Sequence, residues 1–225
     1  MAYTANYSEY NQFSRLSNLD SLTAKMILHL VNSKSKYAEN IWKILGYNDP
    51  NTLLSPNLTN KEKINLVDTG GNGEETSKRI FQKPFINDAW TQESSSVYFY
   101  IDSGYPMNQG NCIVNVGVDC IVHSKLANIY GDGDFEENPF ANPNDTTDNG
   151  ELIVQRKNRA EVLLKNIIAE FNGLYLDGIG YLQFNQVLGG RSNFKQQLWN
   201  NRAFYGYTII FAVAMSGNSE NPTIR

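Results

Sequence analysis

The chain has 225 residues, 41% of them hydrophobic and 12% aromatic, which is enough apolar material for the core of one elaborated domain. Nineteen basic and 23 acidic residues give a net charge of −4 at pH 7, a balance that argues against general affinity for a nucleic-acid backbone. No apolar run approaches the roughly 18 residues needed to cross a bilayer, and the N-terminal residues lack a signal-peptide pattern. We therefore predict one domain without a membrane span.

The N-terminal residues 1–15 lack hydrophobic periodicity and are rich in Tyr, Asn and Ser. That composition is typical of an arm that orders only against a partner. A helix is predicted next, because Leu19, Leu22, Met26 and Leu30 recur at helical spacing. A second helix at 35–45 and a helical turn at 60–66 are also expected.

The glycine-rich run at 70–73 does not fit a phosphate-binding loop, because no Lys-Ser or Lys-Thr pair follows it at the required spacing. We interpret it as a flexible loop. Residues 80–86 contain a proline and are expected to form an edge segment, and 97–101 a strand.

Residues 112–123 give the clearest strand signal, because apolar and mixed residues alternate over their whole length. The wholly apolar face contains both cysteines, Cys112 and Cys120, which are too far apart for a disulfide and lack histidine partners for zinc. We interpret them as small core residues, a usage that suits a reducing compartment. The mixed face, with Asn115, Asp119 and His123, is expected to be partly solvated or to meet a neighbouring subunit.

Residues 131–150 turn acidic and lose periodicity, which predicts an insertion loop. Asp132, Asp134 and Glu136 alternate as in a calcium loop, but Glu137 and Pro143 stand where an EF-hand needs Gly and Glu. A solvated acidic loop is the preferred interpretation, and a looser cation site stays open as the alternative.

Residues 158–171 predict the core helix, with an apolar stripe at three- and four-residue spacing that ends at Phe171. Its other face is expected to carry Arg159, Glu161, Lys165 and Glu170. The Asn172-Gly173 pair supplies the stop.

A strand over 175–188 is expected next, entered through Gly178-Ile179-Gly180 with a bulge or a close backbone approach. Residues 191–203 are interpreted as a polar excursion, and 204–215 as a strand that pairs back antiparallel. These elements predict an α/β domain of the α+β type. Its mostly antiparallel sheet is packed by the helix at 158–171 and by the N-terminal helices. Residues 16–216 would form that single domain, and 217–225 a flexible tail.

The sequence offers no catalytic, cofactor-binding or metal-binding set. His29 lies beside an apolar helical stripe and His123 ends a strand, so structural roles are favoured for both. Asp119 and His123 share a face, but at strand rise their Cα atoms would be about 13 Å apart, too far for direct catalysis. The aromatic residues at 98–100 and Trp90 could stack bases or sugars, although packing is the preferred interpretation.

Several stretches together resemble one family. In chain order they are the N-terminal helix, Asp49-Pro50, the Pro-Asn-Leu-Thr stretch at 56–59, the strand ending Asp119-Cys120-Ile121-Val122-His123, the following helix, Asn172-Gly173, Gly178-Ile179-Gly180 and Phe204-Tyr205-Gly206-Tyr207. Over residues 16–215 the chain resembles tail terminator and related neck proteins of tailed bacteriophages. The N-terminal arm and the acidic loop depart from that pattern and leave a different station in the neck open.

The resemblance implies a non-enzymatic virion protein without cofactors, whose copies form a ring of six that caps the tail tube and joins it to the head-side connector. Its implied partners are other copies of itself, the tail tube protein and head-completion proteins, with sheath or collar proteins as further candidates. Neither a membrane nor sequence-specific nucleic acid is expected as a partner, although the genome would pass through the ring. The implied location is the tail neck of the virion, after assembly in the host cytoplasm.

Three other functions stay open from the sequence. A head-completion or adaptor protein is the nearest alternative. A binding module for glycans or a host surface is motivated by the aromatic content. A hydrolase that uses Asp119 or His123 is the third.

Overall fold

The computed structural model describes residues 19–70, 77–84, 92–108, 111–130, 156–184, 194–198 and 203–216. The helices are α1 (Leu22–Asn32), α2 (Lys36–Gly46), α3 (Asn60–Asn65) and α4 (Arg159–Phe171). The strands are β1 (Ile80–Phe81), β2 (Ser95–Asn108), β3 (Asn111–His123), β4 (Asn128–Tyr130), β5 (Arg156–Asn158), β6 (Tyr175–Leu176), β7 (Gly180–Gln183), β8 (Phe194–Leu198) and β9 (Phe204–Ser216). The predicted arm at 1–15, the glycine run from 71 on, Trp90, the acidic loop at 131–150 and the tail at 217–225 lie outside the described residues.

Seven of these strands form one sheet in the order β1-β2-β3-β9-β7-β6, with β8 also paired to β9. β3 and β9 are its central pair, in antiparallel register from Asn111 opposite Ser216 to His123 opposite Phe204. The remaining pairs are antiparallel except β1 with β2, which is parallel. The predicted α+β class with a mostly antiparallel sheet is therefore confirmed.

The helices cover one face of the sheet, because the apolar residues of β2, β3 and β9 on that face belong to the same core as α1, α2 and α4. Phe171 of α4 makes edge contacts with Phe99 of β2 and Phe211 of β9, at ring-centroid distances of 5.8 and 6.1 Å. The Asn158 side chain caps the N-terminus of α4 by accepting from the Ala160 amide at 2.9 Å. The core helix predicted at 158–171 is present almost residue for residue.

The prediction that Arg159 lies on the outer face of α4 is wrong, because its side chain is fully buried. Its guanidinium donates to the backbone carbonyls of Ile44 at 3.2 Å, Tyr47 at 2.9 Å and Asp49 at 2.7 Å. These carbonyls belong to the end of α2 and the turn after it, which lack intrahelical donors. Burial lowers the pKa of Arg159 to about 10. A single planar cation thus joins α4 to the C-terminus of α2.

Glu170 was also expected on the solvated face of α4, but its side chain is almost wholly buried. It accepts from His29 Nε2 of α1 at 2.8 Å and from the Ser35 hydroxyl at the N-terminus of α2. The same Ser35 oxygen accepts from the Ala38 amide and so caps α2. Glu170 therefore links all three packed helices.

The strand predicted at 175–188 is also wrong in part. The chain instead forms a hairpin of β6 and β7, with Tyr175 opposite Tyr181 and a turn through Gly178, whose φ is 70°. The supposed polar excursion at 191–203 contains a strand, β8, that pairs with β9 from Phe194 opposite Ile209 onward. β9 supplies a ladder of donors and acceptors, and this overrides the weak strand propensity of the sequence Phe-Lys-Gln-Gln-Leu.

The mixed face of β3 is more buried than its sequence indicates, because Asn115, Asp119 and His123 are each less than a tenth exposed. Ile121 packs there with Phe81, Tyr98 and Phe204 in a small second cluster. We refer to this side of the sheet, opposite the helices, as the open face.

Candidate assembly surface

An apolar groove lies between α4 and the edge strand β8. Its volume is about 390 Å³, and it is lined by Glu161, Leu164, Lys165, Ile168, Ala169 and Phe194. Phe194 forms one wall and is 47% exposed. A half-exposed aromatic ring beside an open apolar groove is the kind of anchor that protein interfaces use.

Neighbouring aromatic rings hold Phe194 in place. It stacks on Phe184 at a centroid distance of 6.3 Å and meets Tyr207 edge-on at the same distance. The Tyr207 hydroxyl lies 3.5 Å from the Glu161 carboxylate across the groove. Burial and the charge of Glu161 raise the pKa of Tyr207, so its hydroxyl remains a neutral donor. The wall is thus preorganised, which lowers the entropic cost of binding a partner.

Seven residues from the stretches that carry the family resemblance, which we call the fold markers, lie in the part of the chain that shapes this surface: Asn172, Gly173, Gly178, Ile179, Gly180, Gly206 and Tyr207. Asn172 and Gly173 end α4, where Gly173 has a φ of 81° and the Asn172 side chain accepts from the Phe184 amide at 3.0 Å. Gly178 and the buried Ile179 form the β6–β7 turn. Gly180 brings β7 against β9, where a Cβ would lie 2.9 Å from the Ala214 carbonyl oxygen. The predicted close backbone approach is therefore present at Gly180.

Gly206 and Tyr207 are the two remaining markers, and both lie on β9. A Cβ at Gly206 would be 1.9 Å from the Cys120 carbonyl oxygen, so only glycine allows β9 to approach β3 this closely. Tyr207 turns to the helix side and contacts Phe194, as described above. The fold markers thus set the course of the backbone around the groove, and Tyr207 also contacts its wall. The sequence analysis did not identify Phe194 as a candidate, because its strand is short and polar.

A polar cluster occupies the open face. Asp119 Oδ1 accepts from the Thr208 hydroxyl at 2.5 Å and from the Tyr100 hydroxyl at 3.2 Å. Burial and the Asp119 charge raise the pKa of Tyr100 above its usual range. The Tyr100 ring lies over Gly117, where a Cβ would be 2.4 Å from it. Through these two hydrogen bonds Asp119 links its own strand, β3, to β2 and β9.

The two histidines have different partners. His29 pairs with Glu170, as described above. His123 Nδ1 accepts from the Lys125 amide at 3.3 Å, and its ring meets Phe204 edge-on at 5.1 Å. The described contacts therefore do not bring His123 and Asp119 together in a catalytic pair. Both cysteines are free thiols, as expected.

Two further findings concern the described residues. They include no group of three or more His, Cys, Asp or Glu side chains placed to hold a metal ion. None of their helices is long and apolar enough to span a membrane.

Together, these features define an α+β protein with helices on one sheet face and an apolar groove at a sheet edge. Residues 38–213 match the sequence model of the YomW family, which is more than half of the chain, so the protein belongs to that family. The family is phage-associated. No curated protein and no solved structure matches the chain.

Proposed function

We propose that this protein is a structural component of a tailed-phage virion and forms the tail terminator ring, six copies that cap the tail tube and join it to the head-side connector. The observation that carries the proposal is the groove beside β8, found in a chain of a phage-associated family. A ring needs a surface on each subunit that binds a different surface on the next, and a groove at one edge of a sheet meets that need.

The proposed role is non-catalytic. It is supported by the structural contacts of the three groups weighed above as catalytic candidates: Asp119 with two hydroxyls, His29 with Glu170, and His123 with a backbone amide. The proposed partners are further copies of the chain, the tail tube protein and the connector, and the proposed location is the virion neck. Head-completion protein is the alternative station within the same particle.

Light scattering and electron microscopy of the purified protein, alone and mixed with tail tubes, test this role. We expect rings, or self-association that is completed on tube ends. Phe194→Asp should abolish it by placing a charge in the groove, whereas Lys61→Asp on the exposed side of α3 should not. A protein that is monomeric at all concentrations and never binds tube ends would rule the terminator role out. Locating the protein in disrupted virions distinguishes tail-bound terminator from capsid-bound adaptor.

One observation favours a function of another class, a glycan or host-surface binding module. Tyr175 and Tyr181 on the β6–β7 hairpin are 55% and 57% exposed, with ring centroids 5.0 Å apart. Exposed aromatic rings can stack on sugars. A glycan array separates the two functions: binding that is lost in Tyr181→Ala and retained in Phe194→Asp would favour the module.

A further inference from the structure

The groove between α4 and β8 lies on the side of α4 that faces away from α1 and α2. Arg159 of α4 donates to carbonyls at the end of α2, and Glu170 accepts from His29 of α1. Glu161 and Ile168, each two positions from one of these residues, line the groove. Because an α-helix has 3.6 residues per turn, side chains two positions apart point to nearly opposite sides. The groove is therefore on the outer side of α4, where another chain can reach it.

The size and the lining of the groove favour aromatic side chains. Its volume is about 390 Å³, whereas an apolar cavity of roughly 150 Å³ already holds a benzene ring. Leu164 and Ile168 provide apolar surface, and Phe194 provides a ring against which another ring can stack or pack edge-on. A fitting occupant would bring two aromatic side chains and little charge.

The N-terminal arm, residues 1–15, has this composition. Four of its side chains are aromatic: Tyr3, Tyr7, Tyr10 and Phe13. Aromatic side chains bring large contact areas with few rotatable bonds, so they lose little entropy when they bind. The arm also has the composition of a segment that orders only against a partner. It is the part of the chain that matches the groove in chemistry.

The charges of the arm are complementary to those of the groove. Glu161 and Lys165 line it one helical turn apart. Glu9 is the single acidic residue of the arm, and Arg15 is its single basic residue. Each charge in the groove can thus meet an opposite charge of the arm, and this favours one direction of binding.

The arm is long enough to reach another copy. Eighteen residues precede Leu19, where the description of the structure begins. At about 3.3 Å per residue, they span roughly 60 Å when extended, about twice the diameter of a small domain. The arm starts beside the β6–β7 turn, because Lys25 of α1 donates to the Asp177 carbonyl at 2.7 Å.

The position of α1 favours the groove of the next copy over that of the same chain. α1 contacts α4 through His29 and Glu170, on the side opposite to the groove, so α4 lies between the arm and the groove of its own chain. An arm in the groove of the next copy gives each subunit one donating and one accepting surface. This is the heterologous contact that a ring requires.

We propose that the groove between α4 and β8 receives the aromatic N-terminal arm of the next copy. The arm would link each subunit to its neighbour, with its rings against Phe194, Leu164 and Ile168. This inference rests on the proposed ring and names the contact that closes it.

Crosslinking tests the contact in full-length chains that carry Cys112→Ser, so that the buried Cys120 is the only native thiol. Ser8→Cys chains are mixed with Lys165→Cys chains and treated with a short bismaleimide. We expect crosslinked dimers in the mixture and not with either chain alone, and a ladder of oligomers from the double variant. Lys125→Cys is the matched control for Lys165→Cys, since Lys125 is an exposed lysine at the Phe204 end of the sheet, and its mixture with Ser8→Cys should remain uncrosslinked.

Two further variants distinguish binding in the groove from chance collisions of the arm. Phe194→Asp in the Lys165→Cys chain places a charge in the groove, and Tyr7→Asp with Tyr10→Asp in the Ser8→Cys chain removes two rings. Each should reduce the crosslinked dimer at least tenfold. Unchanged crosslinking in both would overturn the inference.

The remaining outcomes separate this inference from the ring itself. A double variant that is crosslinked within one chain, with no dimer in the mixture, would show that the arm fills its own groove and would overturn the inference. Self-association by light scattering without crosslinks in the mixture would also overturn it, while the ring would stand on another contact. A chain that stays monomeric, even with tail tubes, would overturn both.

Discussion

β9 pairs with β3 on one side and with β7 and β8 on the other, and the β3 and β8 pairings differ in length and in how far they are covered. The β3 pairing runs without interruption from Phe204 to Ser216, with the helices packed over its apolar side. The β8 pairing spans five residues, and its first residue, Phe194, is nearly half exposed. Since burial determines how much an apolar side chain stabilises a fold, the two sides of β9 should contribute very differently to stability.

This difference indicates that the two sides of β9 have separate roles, one in the stability of the fold and the other in association. The β3 side holds the fold together through its long register and the buried apolar residues on its helix-covered face. The β8 side leaves apolar surface exposed beside a groove, as expected where a partner binds. Substitutions on the two sides can test whether stability and association are separated in this way.

The largest expected effect is that of Phe211→Ala, compared with Phe194→Ala. Phe211 is fully buried and packs against Phe171, so its truncation should lower the free energy of unfolding by about 3–5 kcal/mol. Phe194→Ala should cost about 1 kcal/mol, because the ring is half exposed, but should abolish self-association. Urea unfolding and light scattering measure the two properties. Equal stability losses in both variants would refute the separation of stability and association between the two sides.

Gly206→Val should have the next largest effect, because any side chain at this position collides with the Cys120 carbonyl oxygen on β3. We expect a loss of about 3 kcal/mol, or failure to fold, from displacement of the central strand pair. Ala214→Val is the matched control, since Ala214 is exposed on the same strand and the same face. Urea unfolding of Gly206→Val at wild-type stability would show that the β3–β9 pairing can give way at this point.

Much of the β3 side could be predicted from the sequence. Alternation over 112–123 and the helical stripe over 158–171 each bury one face, so periodicity alone indicates both elements. The end of α4 at Asn172-Gly173 was predicted correctly, because only a few residues suit a left-handed position after a helix. These features depend on local pattern, which a single sequence displays.

The β8 side could not be predicted in the same way. Phe194 lies in a polar stretch, and its strand exists because β9 provides a ladder. The expected strand at 175–188 is divided by the turn at Gly178, and a bulge and a turn share the same glycine signal. Arg159 was placed on a solvated face because nothing near it in sequence shows that the carbonyls of α2 would surround it. Such environments are made by residues distant in the chain.

Arg159→Met tests whether the helix layer depends on that buried cation. The variant retains an apolar stem but removes the guanidinium donors to the carbonyls of Ile44, Tyr47 and Asp49, of which only that of Tyr47 keeps a described second donor, the Thr52 hydroxyl. We therefore expect a loss of roughly 2–3 kcal/mol. Lys165→Met on the exposed side of the same helix should change stability by less than about 0.5 kcal/mol. Thermal or urea unfolding provides the measurement. If Arg159→Met were as stable as the wild type, the link between α4 and α2 would be dispensable.

The smallest expected effect is a pH dependence from His123, at the Phe204 end of the β3–β9 pair. Burial lowers the pKa of His123 in the folded protein; the Glu93 carboxylate opposes this shift and Lys125 adds to it. The unfolded chain therefore binds a proton more readily, and the free energy of unfolding should decrease as the pH falls below about 6.5. His123→Asn, which keeps an acceptor for the Lys125 amide, should weaken that decrease, whereas His29→Asn should retain the His123 contribution. Identical pH profiles for His123→Asn and the wild type, in urea titrations from neutral to mildly acidic pH, would mean that protonation of His123 is not linked to folding of the central pair.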